Sequence, residues 1–422
     1  MNGSFVWFGE VGTESTAMST RLSQATPAPL ESETLLSKPF VLLLCVQFCF
    51  GLSFSCFFLL PKYLAREFHA TADAIGAVAA TALVAGVVAS PLMGTWLDRG
   101  GRRPFITLGA LVNGLSGGAF VFVHAISAPL YALRAVHGIS YALVFNAILT
   151  LAADLAPPKK LGQAIGLSGA AGMLANAIAP AIAESIAEHR GWGLVFLLSG
   201  AAALFAALLS LGLSEPRSVR DATVSAALPL AAGLPSAPTL VLQPQRLGAF
   251  VCALANGSAF GVMFTFTQPF ALTLGASKVS GFFVGYTLCA LSIRLFLGNL
   301  ADTYGRRRIA FVALVLYGLV AAMTSQLRPG LMFVAGGGLG FAHGLLYPAI
   351  NALALEGVPR ARRGAVMSYF FACFNTGFAV WVLGMGVLAK SRGYPIVFVA
   401  TGVLVWLSVL CLPKKAAAGV SA

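Results

Sequence analysis

The sequence predicts an all-α membrane protein with twelve transmembrane helices arranged as two six-helix bundles. Three observations carry this. Of 422 residues, 58% are hydrophobic and only 10% are charged, with a mean hydropathy of +0.86, whereas soluble domains carry roughly a quarter charged residues. Apolar runs of about 20 residues, long enough for a helix to cross a hydrocarbon core of about 30 Å, recur along the whole chain. A charged loop signature, Gly-x-x-x-Asp-x-x-Gly-Arg-Arg, stands between two such runs at Gly94, Asp98, Gly101, Arg102 and Arg103, and returns 204 residues later at Gly298, Asp302, Gly305, Arg306 and Arg307. A second copy in register at half-chain distance marks an internal duplication.

Taken in order, residues 1–37 form a polar, Ser/Thr/Pro-rich lead-in without a basic stretch running into an apolar core and cleavage site. They read as a disordered cytoplasmic tail and not as a signal peptide, with Met18 an alternative start. The first bundle, 38–213, holds apolar runs at roughly 39–61, 74–97, 104–126, 129–152, 162–187 and 193–213. In lipid the backbone must satisfy its own polar groups, and strict period-two alternation is lacking, so these runs are helices and not barrel strands. Residues 214–245 lose apolar density and gather Pro216, Pro229, Pro235, Pro238 and Pro244, which suits a cytoplasmic linker. The second bundle, 246–413, holds runs at roughly 247–272, 280–300, 307–327, 330–355, 364–388 and 394–412, and 414–422 form a second cytoplasmic tail.

The net charge of +13 is an orientation signal, not a nucleic-acid footprint. With the N-terminus in the cytosol, eighteen Lys and Arg fall on that side and seven on the other, which fits the positive-inside rule with both termini cytoplasmic. The expected location is the plasma (cell inner) membrane. All seven cysteines fall in apolar spans, where a thiol behaves as a small hydrophobe, and no disulfide or metal spacing is present.

The duplication extends beyond the loops. Asp154, Pro157 and Gly162 match Glu356, Pro359 and Gly364 at an offset of 202, as Arg190-Gly191-Trp192 matches Arg392-Gly393-Tyr394; His137-Gly138 with Tyr141 matches His343-Gly344 with Tyr347 at 206. This twin pattern resembles the major facilitator superfamily of solute transporters. The resemblance implies the major facilitator fold, a substrate site near mid-membrane between the halves, and transport by rocking of one half against the other. It also implies a cavity lined by the first, fourth, seventh and tenth helices. By the same resemblance Gly94, Asp98 and Arg102, with Gly298, Asp302 and Arg306, are gating residues. The alternative is that the arginines only fix topology.

Arg134, His137 and Gly138 on the fourth helix resemble the family's Arg-x-x-x-Gly proton-antiporter signature. A guanidinium in mid-membrane costs about 2.5–3.5 kcal/mol on translocon scales, so Arg134 should face the cavity or a partner. Its roles are proton coupling or a fixed tie between helices. His137 with Tyr141, and His343 with Tyr347 and Asn351, stand at helical spacing on cavity helices. There an imidazole carries protons or binds substrate, or makes a plain interhelical bond. The fifth helix carries Gly169, Gly172, Asn176 and Ala179-Pro180, a degenerate copy of the antiporter signature, followed by Glu184 and Glu188 as proton acceptors or a solvated helix end. Arg294 reads as a tie between halves. The first helix lacks the acid found in many proton-coupled drug exporters and offers only Gln47 among Phe48, Phe50, Phe54, Phe57 and Phe58, which with Phe260, Phe264, Phe266, Gln268 and Trp381 form an aromatic stripe facing either the cavity or lipid. That composition suits an apolar or aromatic solute and disfavours a highly charged one.

The leading function is therefore proton-coupled efflux of a small amphipathic molecule by alternating access. The alternative is uptake of a sugar or small metabolite by symport or facilitated diffusion, using Gln47, Asn146, Asn256, Gln268, Asn351 and Asn375 as a polar ring. Partners are the solute, protons and the bilayer, with the chain a monomer. No catalytic residue, cofactor, metal or nucleic acid is expected.

Overall fold

The computed structural model describes residues 35–157, 160–214, 237–297, 300–359 and 362–412. Gly298 and most of the predicted tails and linker lie outside these, and so do the side chains of Gly94, Asp98 and Asp302. Among the described residues every regular element is helical: α1 (Lys38–Cys56), α2 (Leu60–Glu67), α3 (Ala72–Gly100), α4 (Arg103–Ala119), α5 (Ala128–Asp154), α6 (Leu161–Arg190), α7 (Trp192–Ser210), α8 (Ala237–Val241), α9 (Pro244–Thr273), α10 (Ser280–Phe296), α11 (Leu300–Tyr304), α12 (Arg306–Met323), α13 (Met332–Ala354), α14 (Arg363–Arg392) and α15 (Tyr394–Ser408), with short 3-10 turns. Eleven helices are long and apolar enough to cross a membrane, counting α1 and α2 as one run, Lys38–Glu67. Helix α10 is apolar but has 17 residues, because it stops at Phe296 where the sequence expectation ran to 300.

Local chemistry sets the boundaries. Proline opens α1, α4, α5, α9 and α15 in the first turn, where its missing N–H has no helical partner to lose. The duplicated turns use glycine at matching places. Gly101 (φ 84°) and Gly305 (φ 92°) lie in the charged hairpins, and Gly191 (φ 84°) and Gly393 (φ 83°) end α6 and α14. Only glycine adopts such backbone without strain.

Helix α1 packs on α6 and α7, α3 on α5, and α4 on α5 and α7; in the second half α9 packs on α14 and α15, α10 on α13, and α12 on α13 and α15. The halves join chiefly through α3 with α14 and α6 with α10, and α9 also touches α2, α3 and the turn at Phe57–Leu59. Close approach needs small residues, since lipid supplies no hydrophobic drive between helices. A Cβ on Gly138 would lie 1.9 Å from the Ala82 carbonyl, and one on Gly344 3.3 Å from Ala290 Cα. The repeated glycine of the His-Gly pairs thus seats α5 on α3 and α13 on α10. A buried polar network also ties the first half: Asn113 donates to Ser53, Ser140 donates to Asn113, and Ser199 meets Ser53.

Candidate functional site

The sequence-predicted residues gather into two matching aromatic clusters, one on each half. In the first, Tyr141 of α5 stacks on Phe54 of α1 at 3.8 Å between centroids, and His137 lies 5.5 Å from Phe54 and 4.2 Å from Phe57. Arg134 Nη1 stands 3.1 Å from His137 Nδ1, with its guanidinium carbon 6.0 Å from the Phe57 centroid. A guanidinium can only donate, so Nδ1 accepts and the imidazole is neutral with its proton on Nε2. That Nε2 is buried without a partner.

The second cluster repeats this 206 residues on. His343 of α13 lies 5.0 Å from Phe260, 5.5 Å from Tyr347, 6.0 Å from Tyr286 and 6.4 Å from Phe374. Its Nδ1 is also buried without a partner, and Gly340 stands where the first half has Arg134. Asn351 lies one turn beyond Tyr347, half-buried. Gln47 is buried with Oε1 unpaired, its Nε2 2.7 Å from where a Cβ on Gly172 would sit.

The clusters meet through two phenylalanines of the expected aromatic stripe, whose pairing across the halves the sequence reading did not foresee. Phe58 of the first half and Phe264 of the second are 5.4 Å apart. Phe54, Phe58 and Lys62 match Phe260, Phe264 and Gln268 at the same offset of 206, so extending the duplication into the first and seventh helices would have exposed the seam.

Beyond the seam, at the end of the molecule opposite the Gly101 and Gly305 hairpins, the halves are fastened together. Lys62 is 1% exposed, donates to Glu184 and to the Ser277 carbonyl (2.7 Å), and lies 3.6 Å from Glu188. Glu184 accepts the backbone N–H of Val279 (2.7 Å) and Ser280 (2.8 Å) with its two oxygens. These open N–H groups and the positive dipole end of α10 suit an anion. Gln268 donates across to the Phe58 carbonyl at 2.7 Å. Glu184 is therefore no solvated helix end, since it is as buried as its lysine. A second corner, Lys390 of α14 with Asp73 of α3 at 2.8 Å, is largely exposed.

At the hairpin end Arg102 pairs with Asp154 at 3.2 Å, joining the start of α4 to the end of α5 within one half. In the other half Arg246 of α9 donates to the Glu356 carbonyl beyond α13 at 3.1 and 2.9 Å. Arg306 is half-buried at the start of α12. Of the predicted polar ring, Asn146, Gln268 and Asn375 all donate to carbonyls of their own helices, to Ala142, Phe264 and Phe371 respectively.

Comparison with known proteins places this geometry. The family pattern of the Major Facilitator Superfamily matches residues 43–293 and 282–418. The chain is 27% identical over 342 residues to the multi-drug resistance efflux pump PmrA of Streptococcus pneumoniae, covering 79% of this chain and 84% of that one. It is 26% identical over 348 residues to a PmrA homolog of Lactococcus lactis, covering 78% and 81%. In structure it is similar to a bacterial homolog of the human lysosomal transporter Spinster, with a TM-score of 0.72 at 14% identity, covering 90% of this chain and 97% of that one.

Proposed function

Because the chain belongs to the major facilitator superfamily, and is thus an integral membrane transporter of small molecules and not an enzyme, we propose that it exports a small amphipathic solute in exchange for protons. The relatives named as multi-drug efflux pumps support the direction. The observation that carries the reading is the Phe58–Phe264 seam beneath the Lys62–Glu184 fastening. An apolar wall closed at one end suits a solute with an apolar body.

In this reading α10 is the eighth of twelve spans, the spans form two six-helix bundles, and the chain acts as a monomer. The hairpin end and both termini face the cytosol across the plasma membrane. The fastened end is then the outer one, and the conformation is open toward the cytosol. Gly94, Asp98 and Arg102, with Gly298, Asp302 and Arg306, gate the cytosolic side. Arg134 and His137, at 3.1 Å, handle the coupling proton, because an acid at the first-helix position of many exporters is replaced by Gln47. Turning Asn146, Gln268 and Asn375 onto their own helices leaves fewer polar groups for a sugar.

The test is a substrate-dependent proton flux in liposomes of known orientation. Outward solute with inward proton is the expected result. Movement of both in one direction would replace export by uptake.

A further inference from the structure

The chain has fourteen Asp and Glu, and none lies on α1, α4, α7, α9, α10, α12, α13, α14 or α15; those on α3, α5 and α6 stand near helix ends. Two arginines nevertheless stand on apolar helices, Arg134 within α5 and Arg294 in the last turn of α10. Arg134 is buried against His137 and Phe57. Arg294 is exposed, and no ion pair or hydrogen bond to it is found among the described residues. A bare guanidinium on a spanning helix is expensive unless it faces water or meets an anion.

Arg294 stands where α6 of one half meets α10 of the other. Arg294 Nη1 lies 3.9 Å from where a Cβ on Gly169 of α6 would sit, and a Cβ on Gly166 would meet nothing within 4 Å. One turn along α6, Gly172 faces the amide of Gln47, whose buried Oε1 has no partner. The Arg294 neighbours Ile293 and Ala290 pack on Gly344, the residue after His343, within 3.2 and 3.3 Å of where a Cβ there would sit, so this end of α10 adjoins the helix of the second aromatic cluster. Gly169 precedes Glu184 by fifteen residues, about 22 Å of helix on the hairpin side of the fastened end. A positive field that no carboxylate offsets among the described side chains repels cations and concentrates anions.

We propose that the solute is an amphipathic anion, an aromatic ring system bearing one carboxylate-like group, with Arg294 taking the negative end and the Phe260–Tyr347 wall taking the rings. The planar fork of arginine suits a carboxylate, and a charge-assisted pair is worth about tenfold or more in affinity. The proposal rests on the export reading for the position of the cavity, but its recognition step is separately measurable.

Three isosteric probes isolate the charge: 2-naphthoate, 2-naphthylmethanol and 2-naphthylmethylammonium. Their stabilisation of the purified full-length chain is read by thermal shift in uncharged detergent, and their movement in phosphatidylcholine vesicles, so that no acidic lipid competes. The expected result is naphthoate ahead of the ammonium probe by about tenfold, with the gap lost in Arg294→Gln and largely kept in Arg294→Lys. Naphthylmethanol serves as the control and should respond alike in all three proteins. Preference for the ammonium probe, no response to naphthoate, or an anion preference undiminished in Arg294→Gln overturns the proposal. Arg294-dependent binding of naphthoate without proton-driven movement upholds the proposal and removes the export reading instead.

Discussion

Lys62 is the residue on which most of the closed end converges, since it serves two carboxylates and a carbonyl while fully buried. Removing one member of a buried ion pair leaves a charge without compensation and costs about 3 kcal/mol or more, roughly a hundredfold in population. Lys62→Met should therefore expose the aromatic seam to the outside. A cysteine placed at Phe58, with the native cysteines replaced, should react much faster with a membrane-impermeant thiol reagent in the Lys62→Met background. His137→Ala makes a separate prediction: with Arg134 stripped of its acceptor, proton-linked exchange should fall about tenfold and lose its dependence on pH. An unchanged pH–rate profile would take His137 out of the coupling step.

Helices were legible to the extent that their causes are local. Apolar runs, first-turn prolines and turn glycines lie within a few residues of the boundary they set, so the spans agree closely except at the end of α10. The duplicated glycines were legible as a pattern, but their reasons differ. Gly101 and Gly305 serve backbone conformation, while Gly138 serves an approach of α5 to α3 that only the folded molecule reveals. The difference predicts unequal costs. Gly138→Ala would push a methyl into the Ala82 carbonyl and should cost about 1–3 kcal/mol or more, seen as lost monodisperse protein on heating. Gly118→Ala meets nothing within 4 Å and should be neutral or stabilising by a few tenths of a kcal/mol up to about 1 kcal/mol. Equal melting temperatures for the two variants would reject this packing account.

At the scale of the whole molecule, what sequence reading missed is what crosses between halves. Lys62 reaches the Ser277 carbonyl 215 residues away, Glu184 takes the N–H groups of Val279 and Ser280 95 and 96 residues on, and Gln268 reaches a carbonyl 210 residues away. No local periodicity announces such pairs, and a lone lysine near the end of an apolar run looks like an interface anchor. His137, His343 and their tyrosines were visible because duplication repeats them, whereas Phe58 and Phe264 were visible only as members of an aromatic stripe, and nothing local among 31 phenylalanines says which pair meets across the halves. The ion pairs at the two corners also differ in burial: Lys62 with Glu184, at α6 and α10, is buried, and Lys390 with Asp73, at α14 and α3, is largely exposed. Exposed pairs contribute little, so Asp73→Asn should leave transport nearly unchanged where Lys62→Met does not. A comparable loss in both would show that the corners share the load.

That inequality gives the molecule a handedness in motion. The exposed Lys390–Asp73 pair should part before the buried Lys62–Glu184 one, so that the passage widens first from the α3–α14 side like a door hung on one post. Distance probes across the two seams would then register their changes in sequence, the α3–α14 pair leading.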